Sequence, residues 1–131
     1  GDIVPNPARV QLGALQPGQS FTSELRLSAR NKKPFKVTKV EEKSGSPGKA
    51  FADIQFREDP NTVPPSYVVT VTGTAPTTPG AIKGDLLISS DLPGEEQFKV
   101  QYFGFIRQLP QAPQQQRNQV DNESTLIPGG R

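Results

Sequence analysis

Few kinds of side chain in this protein could carry out chemistry, because its 131 residues contain neither histidine nor cysteine. Histidine is the commonest acid or base near neutral pH, and cysteine supplies nucleophiles, disulfides and ligands for zinc and iron–sulfur clusters. A Ser-His-Asp triad is therefore excluded, and a Ser-Lys pair would need a lysine in a desolvated pocket. The sequence contains neither a G-x-S-x-G turn nor a glycine loop of the kind that binds phosphate.

Carboxylates are the remaining candidates for catalysis or metal binding. Paired carboxylates can divide the acid and base roles of a hydrolase, and oxygen ligands suit Ca²⁺. Asp59-Pro60-Asn61 has alternating oxygen ligands but lacks the rest of a calcium loop. Four other acids could gather at one end of the fold, although we expect them to be solvated turn residues: Asp85, Asp91, Glu95 and Glu96. The sequence therefore predicts no enzymatic activity, no cofactor and no metal site.

Positive charge is concentrated in one part of the chain. Lys and Arg outnumber Asp and Glu by only 15 to 13 overall, but residues 24–57 contain nine basic and four acidic side chains. A patch for phosphate, an acidic polysaccharide or an acidic protein surface is predicted at Arg26, Arg30, Lys32, Lys33 and Lys36. The alternative is a solvated lysine face that protects a sheet edge.

Binding of nucleic acid would also require exposed aromatic side chains. The alternation of the sequence places most of the seven Phe and two Tyr on inward positions. We therefore predict no specific nucleic-acid partner.

The elements that must position these side chains are β-strands. Apolar and polar residues alternate most clearly in Ser20–Ala29, where Phe21, Leu25 and Leu27 share one face. The alternation slips at Val40 and Ile54, which predicts bulges. Six further segments have a similar pattern: Ala8–Leu12, Phe35–Glu42, Ala50–Arg57, Ser66–Thr74, Ile82–Ser89 and Gln97–Ile106.

Turns between these segments are marked by a recurring dipeptide. Proline suits the second position of a type II turn, and glycine accepts the positive φ of the third. The sequence predicts such turns at Pro17-Gly18, Pro47-Gly48, Pro79-Gly80, Pro93-Gly94 and Pro128-Gly129.

Seven short strands separated by turns predict an all-β protein, a seven-stranded antiparallel sandwich of two sheets. We expect this domain over residues 8–107, after an N-terminal lead of residues 1–7. Residues 108–131 are rich in Gln and Pro, which predicts a flexible tail. If that tail docks on a sheet edge or on another protein, Leu126 and Ile127 would be its anchor.

The segment Val10–Phe21 resembles the opening of bacterial immunoglobulin-like domains related to the major sperm protein and ASH group. In that group a short strand ends in glycine, a second glycine follows in the turn, and a long strand leads to an asparagine. The corresponding residues here are Gly13, Gly18 and Asn31. The segment Gly84–Asp91 is similar to the penultimate strand of these domains, and the resemblance covers roughly residues 8–107.

One departure from that family limits what the resemblance implies. Many relatives have Cys-Gly-Cys after the third strand, whereas this chain has Ser44-Gly45-Ser46. A thiol or metal role therefore does not carry over. The resemblance implies an immunoglobulin-like sandwich and a periplasmic or cell-envelope location.

Three functional hypotheses follow from these observations. The leading one is a non-catalytic protein-interaction or structural module that belongs to a larger exported protein and acts by strand addition at a sheet edge or through end loops. The second is an electrostatic adaptor that binds an anionic polymer through the basic residues 26–39, and the third is a hydrolase with a carboxylate site. The chain contains no Met, so we expect a processed or excised protein, in which a leader or anchor could precede Gly1. We predict no transmembrane segment, because no run of apolar residues is long enough to cross a membrane.

Overall fold

The computed structural model describes residues 1–108, and this part of the chain forms two β-sheets without a helix. The strands are β1 (Ile3–Asn6), β2 (Val10–Leu15), β3 (Ser20–Ala29), β4 (Val37–Ser46), β5 (Asp53–Asp59), β6 (Ser66–Thr74), β7 (Gly80–Ser90) and β8 (Gln97–Ile106). Sheet 1 has the order β1-β3-β6-β5, and sheet 2 has the order β2-β8-β7-β4. Neighbouring strands are antiparallel except for β2 and β8, which run parallel.

The predicted all-β arrangement of two sheets is confirmed. The predicted number of seven strands is wrong, and the prediction of antiparallel pairing throughout fails for β2 and β8. The eighth strand, β1, lies in the segment expected to be an N-terminal lead and pairs with the last four residues of β3. Pro5 and Pro7 concealed it, because proline cannot donate to a ladder. An edge strand tolerates proline, and β1 is the edge of sheet 1. The predicted tail lies outside the described residues from residue 109 onwards.

An irregularity in β4 explains the first slip in the alternation. The register with β7 shifts between Val37 and Lys39. As a result Val37 and Glu42 are both buried, and Val40 packs partly buried against the core. The bulge predicted near Val40 is therefore confirmed.

The second slip arises immediately before β5. The Ala52 N–H donates to the Thr72 carbonyl at 2.8 Å, while Asp53 is the strand partner of the same Thr72. Two residues thus oppose one, and Phe51 and Ile54 both contact the core although three positions separate them. The irregularity thus lies at Ala52 and Asp53, just before β5, and accounts for the slip in the alternation, whereas Ile54 itself is in regular register with Val71.

Two of the predicted turns have the expected geometry. The Gln19 N–H donates to the Gln16 carbonyl at 3.0 Å around Gly18, whose φ is 77°. The Glu95 N–H donates to the Leu92 carbonyl at 2.9 Å around Gly94, whose φ is 88°. These are type II turns. Gly48 lacks a positive φ, so the turn predicted there has a different form.

The core lies between the two sheets and is built from the alternating residues identified in the sequence. Leu25 and Leu27 of β3 are buried and face Val100 and Tyr102 of β8 in the same apolar cluster. A smaller apolar cluster closes the end of the sandwich at which β8 ends. It consists of Leu15, Ala75, Ile82 and Ile106.

Truncation of Leu25 tests the assignment of the core. Leu25→Ala is expected to lower the free energy of unfolding by about 2–5 kcal/mol, because it leaves a cavity at a side chain that is 2% exposed. Urea denaturation measures this loss. The neighbouring Glu24→Ala changes an exposed side chain and should remain within about 0.5 kcal/mol of the parent protein. A loss below about 1 kcal/mol for Leu25→Ala would contradict the packing described here.

Candidate functional site

The five basic residues predicted as a patch lie towards one end of the sandwich. Arg26 is on the outer side of β3, and the other four occupy the β3–β4 connection. Arg30 and Lys32 are exposed and form no ion pair with any of residues 1–108. The remaining three have acidic partners. Arg26 contacts Asp59 at 2.7 Å, Lys33 contacts Asp2 at 3.2 Å, and Lys36 contacts Glu58 at 3.9 Å.

These contacts neutralise much of the predicted positive patch. The hydrogen bond from Arg26 lowers the pKa of Asp59. The hydrogen bond from Lys33, aided by that from Asn31, lowers the pKa of Asp2. Both carboxylates therefore stay ionised over a wider pH range and compensate the cations beside them.

The four acids predicted to gather at one end do not form one cluster. Asp91 accepts a hydrogen bond from the Lys36 N–H at 2.7 Å, and Glu95 accepts one from the Ile3 N–H at 3.0 Å. Glu96 accepts one from the Gly94 N–H at 3.1 Å. Each of these side chains thus holds a loop or a strand end in place. Asp85 lies elsewhere, in the middle of β7. Across residues 1–108 no group of three acidic side chains could hold a metal ion.

A buried carboxylate that the sequence analysis did not single out is Glu42 of β4. It is 6% exposed and accepts hydrogen bonds from Ala50 N–H at 2.6 Å and Phe51 N–H at 3.1 Å. The Tyr102 hydroxyl also donates to it. Burial and this hydrogen bond raise the pKa of Tyr102, so the hydroxyl remains a donor. The signal in the sequence was that Glu42, a charged residue, occupies a position of β4 that faces the core.

Two glycines make room for the Tyr102 hydroxyl. A Cβ on Gly84 would collide with the Tyr102 side chain, and a Cβ on Gly45 would collide with both the hydroxyl and the Glu42 carboxylate. The Tyr102 ring therefore lies across β7 and reaches β4. Glu42 and Tyr102 together fasten the β4–β5 loop to the core, which is a structural arrangement.

The outer side of sheet 2 displays exposed aromatic side chains. Phe103 and Phe105 of β8 are 44% and 49% exposed. Their strand partners in β7 are Lys83 and Ala81, which are also exposed. We call this surface the outer face of sheet 2. Its signal in the sequence was the run Tyr102–Ile106, where apolar residues occupy both phases of the strand.

A shallow groove of about 330 Å³ lies on this face beside Phe103. Arg9 and Lys83 supply positive charge, Asp85 supplies a carboxylate, and the remaining polar lining is Ser44, Ser46 and Gln101. The Ser44-Gly45-Ser46 segment thus forms one wall of the groove. The lining thus combines charges of both signs, hydroxyls and an aromatic side chain.

The four sheet edges differ in how far they are protected against pairing. β1 has four residues and contains Pro5. The register of β2 shifts before Gly13, and that of β4 shifts twice. β5 pairs with β6 without a shift from Asp53 to Asp59, contains no proline and has five exposed residues out of seven. β5 is therefore the edge best suited to accept another strand.

The phase of the β5–β6 ladder shows which N–H groups of β5 are free. The Thr72 carbonyl accepts a hydrogen bond from the β5 side, which makes Thr72 and Asp53 a hydrogen-bonded pair. Hydrogen-bonded and non-hydrogen-bonded pairs alternate along an antiparallel ladder. The N–H groups of Ile54, Phe56 and Glu58 therefore point away from β6 towards the open edge.

Comparison with known proteins gives a similarity of fold. No family model matches the chain, and no curated protein matches it. Among solved structures, the chain is similar to a family 123 glycoside hydrolase from Clostridium perfringens, with a TM-score of 0.52 and 13% identity. The similarity covers 76% of this chain and 23% of the hydrolase, so this chain spans about a quarter of its length.

At 13% identity this similarity concerns the β-sandwich and not the activity. Within residues 1–108 there is also no helix that could cross a membrane.

Proposed function

We propose that this chain is a non-catalytic immunoglobulin-like module that binds an extended segment of a partner protein at the edge of β5. The observation that carries the proposal is that β5 is regular, free of proline and exposed, whereas the three other edges are interrupted or short. A partner strand would extend sheet 1 through main-chain hydrogen bonds, and alternate side chains would give specificity.

The order of the strands supports the immunoglobulin-like assignment. If β1, β3, β4, β5, β6, β7 and β8 take the letters A to G, sheet 1 has the order A-B-E-D and three strands of sheet 2 have the order G-F-C. These are the orders of immunoglobulin domains. The additional β2 lies beside β8. Membership of the ASH and major sperm protein group, and a periplasmic or cell-envelope location, are proposed from the sequence resemblance.

The roles of the acidic side chains support a non-catalytic function. Asp91, Glu95 and Glu96 each accept a backbone N–H, and Glu42 accepts three donors. The alternative role of an adaptor for anionic polymers at residues 26–39 receives less support, because Arg26, Lys33 and Lys36 have acidic partners.

A pair of variants at one position tests strand addition. Phe56→Pro removes an N–H that points to the open edge and leaves the β5–β6 ladder intact, whereas Phe56→Ala removes the same side chain but retains the N–H. The probe is a displayed library of random dodecapeptides selected on the parent protein. We expect selected peptides to bind Phe56→Ala about as well as the parent protein and to lose at least tenfold in affinity for Phe56→Pro.

Salt provides the second measurement. Main-chain pairing should change little between about 0.1 and 1 M NaCl, because it does not depend on screened surface charges. Circular dichroism and thermal unfolding establish that both variants are folded. If the selected peptides bind Phe56→Pro and Phe56→Ala equally, or if no peptide is selected, strand addition at β5 is wrong.

A further inference from the structure

Two rings on the outer face of sheet 2 have the spacing of a stacking platform. Phe103 and Phe105 are two residues apart on one strand, which separates their Cα atoms by about 6.8 Å and directs both rings to the same side. Neither ring is paired with another aromatic ring in residues 1–108. On four-stranded sheets that bind single-stranded RNA, aromatic side chains on the strands stack two or three bases.

The same face is the more positively charged of the two outer faces. The pairing of β4, β7 and β8 turns four cations and two carboxylates outwards: Lys39, Lys43, Lys83 and Lys99 against Glu41 and Asp85. Arg9, which lines the groove on the same face, brings the net charge to +3. The outer face of sheet 1 has two cations and three carboxylates and a net charge of −1: Arg26 and Arg57 against Glu24, Asp53 and Asp59. The excess of positive charge therefore lies on the face that carries the two rings.

Most of these cations are available to a ligand. Lys39 contacts Glu41 at 3.7 Å, and the other four form no ion pair within residues 1–108. Lys83 is the strand partner of Phe103 in β7, and Arg9 lines the groove beside the same ring. Two cations thus lie beside the Phe103 ring, and Phe105 follows two residues later on the same face. Single-stranded nucleic acids are bound by this combination, in which bases stack on rings and phosphates meet basic side chains.

We propose that the outer face of sheet 2 binds single-stranded nucleic acid independently of sequence. One base stacks on Phe103 and the next on Phe105, while Arg9, Lys83 and Lys99 contact the phosphates. The groove beside Phe103 receives the continuing strand, and Gln11 and Gln101 beside the ring offer amides to the base edges. An acidic polysaccharide would satisfy the cations, but it lacks flat π faces for the two rings. This surface lies on the opposite sheet from β5, so its test is independent of the function proposed above.

The probe is a fluorescently labelled fifteen-nucleotide oligo(dT), titrated with the full 131-residue protein at low salt and followed by anisotropy. Phe103→Ala and Phe105→Ala should each weaken binding roughly 5- to 100-fold, because each removes one stacked base. Phe103→Trp should restore binding to the parent level or above. The control is Phe56→Ala, which truncates another exposed phenylalanine on sheet 1 and should leave the affinity unchanged.

Charge is tested by the salt dependence of the same titration. Replacing both Lys83 and Lys99 by alanine should reduce the slope of log K against log salt by roughly 1.4, because each phosphate contact on a single strand contributes about 0.7. Lys32→Ala removes an exposed lysine at the end of the sandwich and should leave the slope unchanged. The substituted side chains are exposed, and equal thermal midpoints establish that the variants are folded.

Three outcomes would overturn the proposal. The first is the absence of oligo(dT) binding at low salt. The second is equal binding by the parent protein and a variant that lacks both rings. The third is that heparin, at the same charge concentration, competes as strongly as unlabelled oligo(dT), and that removal of the two rings does not change this competition. That result would indicate a general surface for polyanions.

Discussion

Replacement of Glu42 by leucine is expected to lower the free energy of unfolding by about 3–5 kcal/mol. Leucine is similar in size to glutamate, so the change removes an acceptor and leaves little space. The Ala50 and Phe51 N–H groups and the Tyr102 hydroxyl lose their partner inside the protein. An unsatisfied buried donor costs about 1–3 kcal/mol, and partial access of water to the loop would reduce the sum.

Urea denaturation of three further variants tests whether the loss of stability comes from the missing hydrogen-bond acceptor at Glu42. Glu41→Leu makes the same change at a side chain on the opposite side of β4 and should alter stability by less than about 1 kcal/mol. Tyr102→Phe removes one of the three donors. Because Glu42 and Tyr102 share a hydrogen bond, the loss in the double variant should be smaller than the sum of the single losses. Additive losses, or a loss for Glu42→Leu below about 1 kcal/mol, would refute the role assigned to Glu42.

Gly73→Ala is expected to destabilise the domain by about 3 kcal/mol or more. Gly73 lies in the middle strand pair of sheet 1, opposite Phe21. A Cβ at this position would lie well inside van der Waals contact with the Ala50 carbonyl oxygen and 2.7 Å from the tip of the Phe21 ring. The ring could rotate, but the carbonyl belongs to the backbone of the loop that Glu42 holds. The strain therefore cannot be relieved without moving that loop.

The matched control is the same substitution at another glycine. Gly48 has open space around its Cα and no positive φ, so Gly48→Ala should be neutral or stabilise the domain by up to about 1 kcal/mol. Thermal unfolding of the two variants under identical conditions measures the difference. Equal midpoints for Gly73→Ala and Gly48→Ala would show that the β4–β5 loop moves freely. This result would contradict the inference that Glu42 and Tyr102 hold the loop in place.

Local alternation of residues was sufficient to predict most of the strands. In β3 the buried pair Leu25 and Leu27 has a period of two, which is a property of the strand itself. The slips at Val40 and Ile54 could be recognised for the same reason. β1 could not be predicted, because only Ile3 among its four residues is buried and the strand exists through its pairing with β3.

The candidate sites depend on contacts between distant residues, so less of them could be predicted. Nothing near Arg26 in the sequence indicates that Asp59 will compensate it, since 33 residues separate the two. Asp85 and Asp91 were expected to lie together, but β7 extends from Gly80 to Ser90. Asp85 therefore lies within the strand, and Asp91 lies in the loop that follows it. The alternation of β8 contained the information that Phe103 and Phe105 point outwards, whereas the cations on the same face became apparent only from the register of four strands.

The parallel pairing of β2 with β8 places Val10 opposite Tyr102. The first and last parts of the domain therefore meet in a single sheet, and β8 lies between β2 and β7 at its centre. A nascent chain that ends before β8 contains both flanking strands, β2 and β7, but not the strand that joins them. Sheet 2 can be completed only once the ribosome has released residue 106 from its exit tunnel. Assembly must then wait for a contact that spans almost the whole domain, and such non-local pairing slows folding.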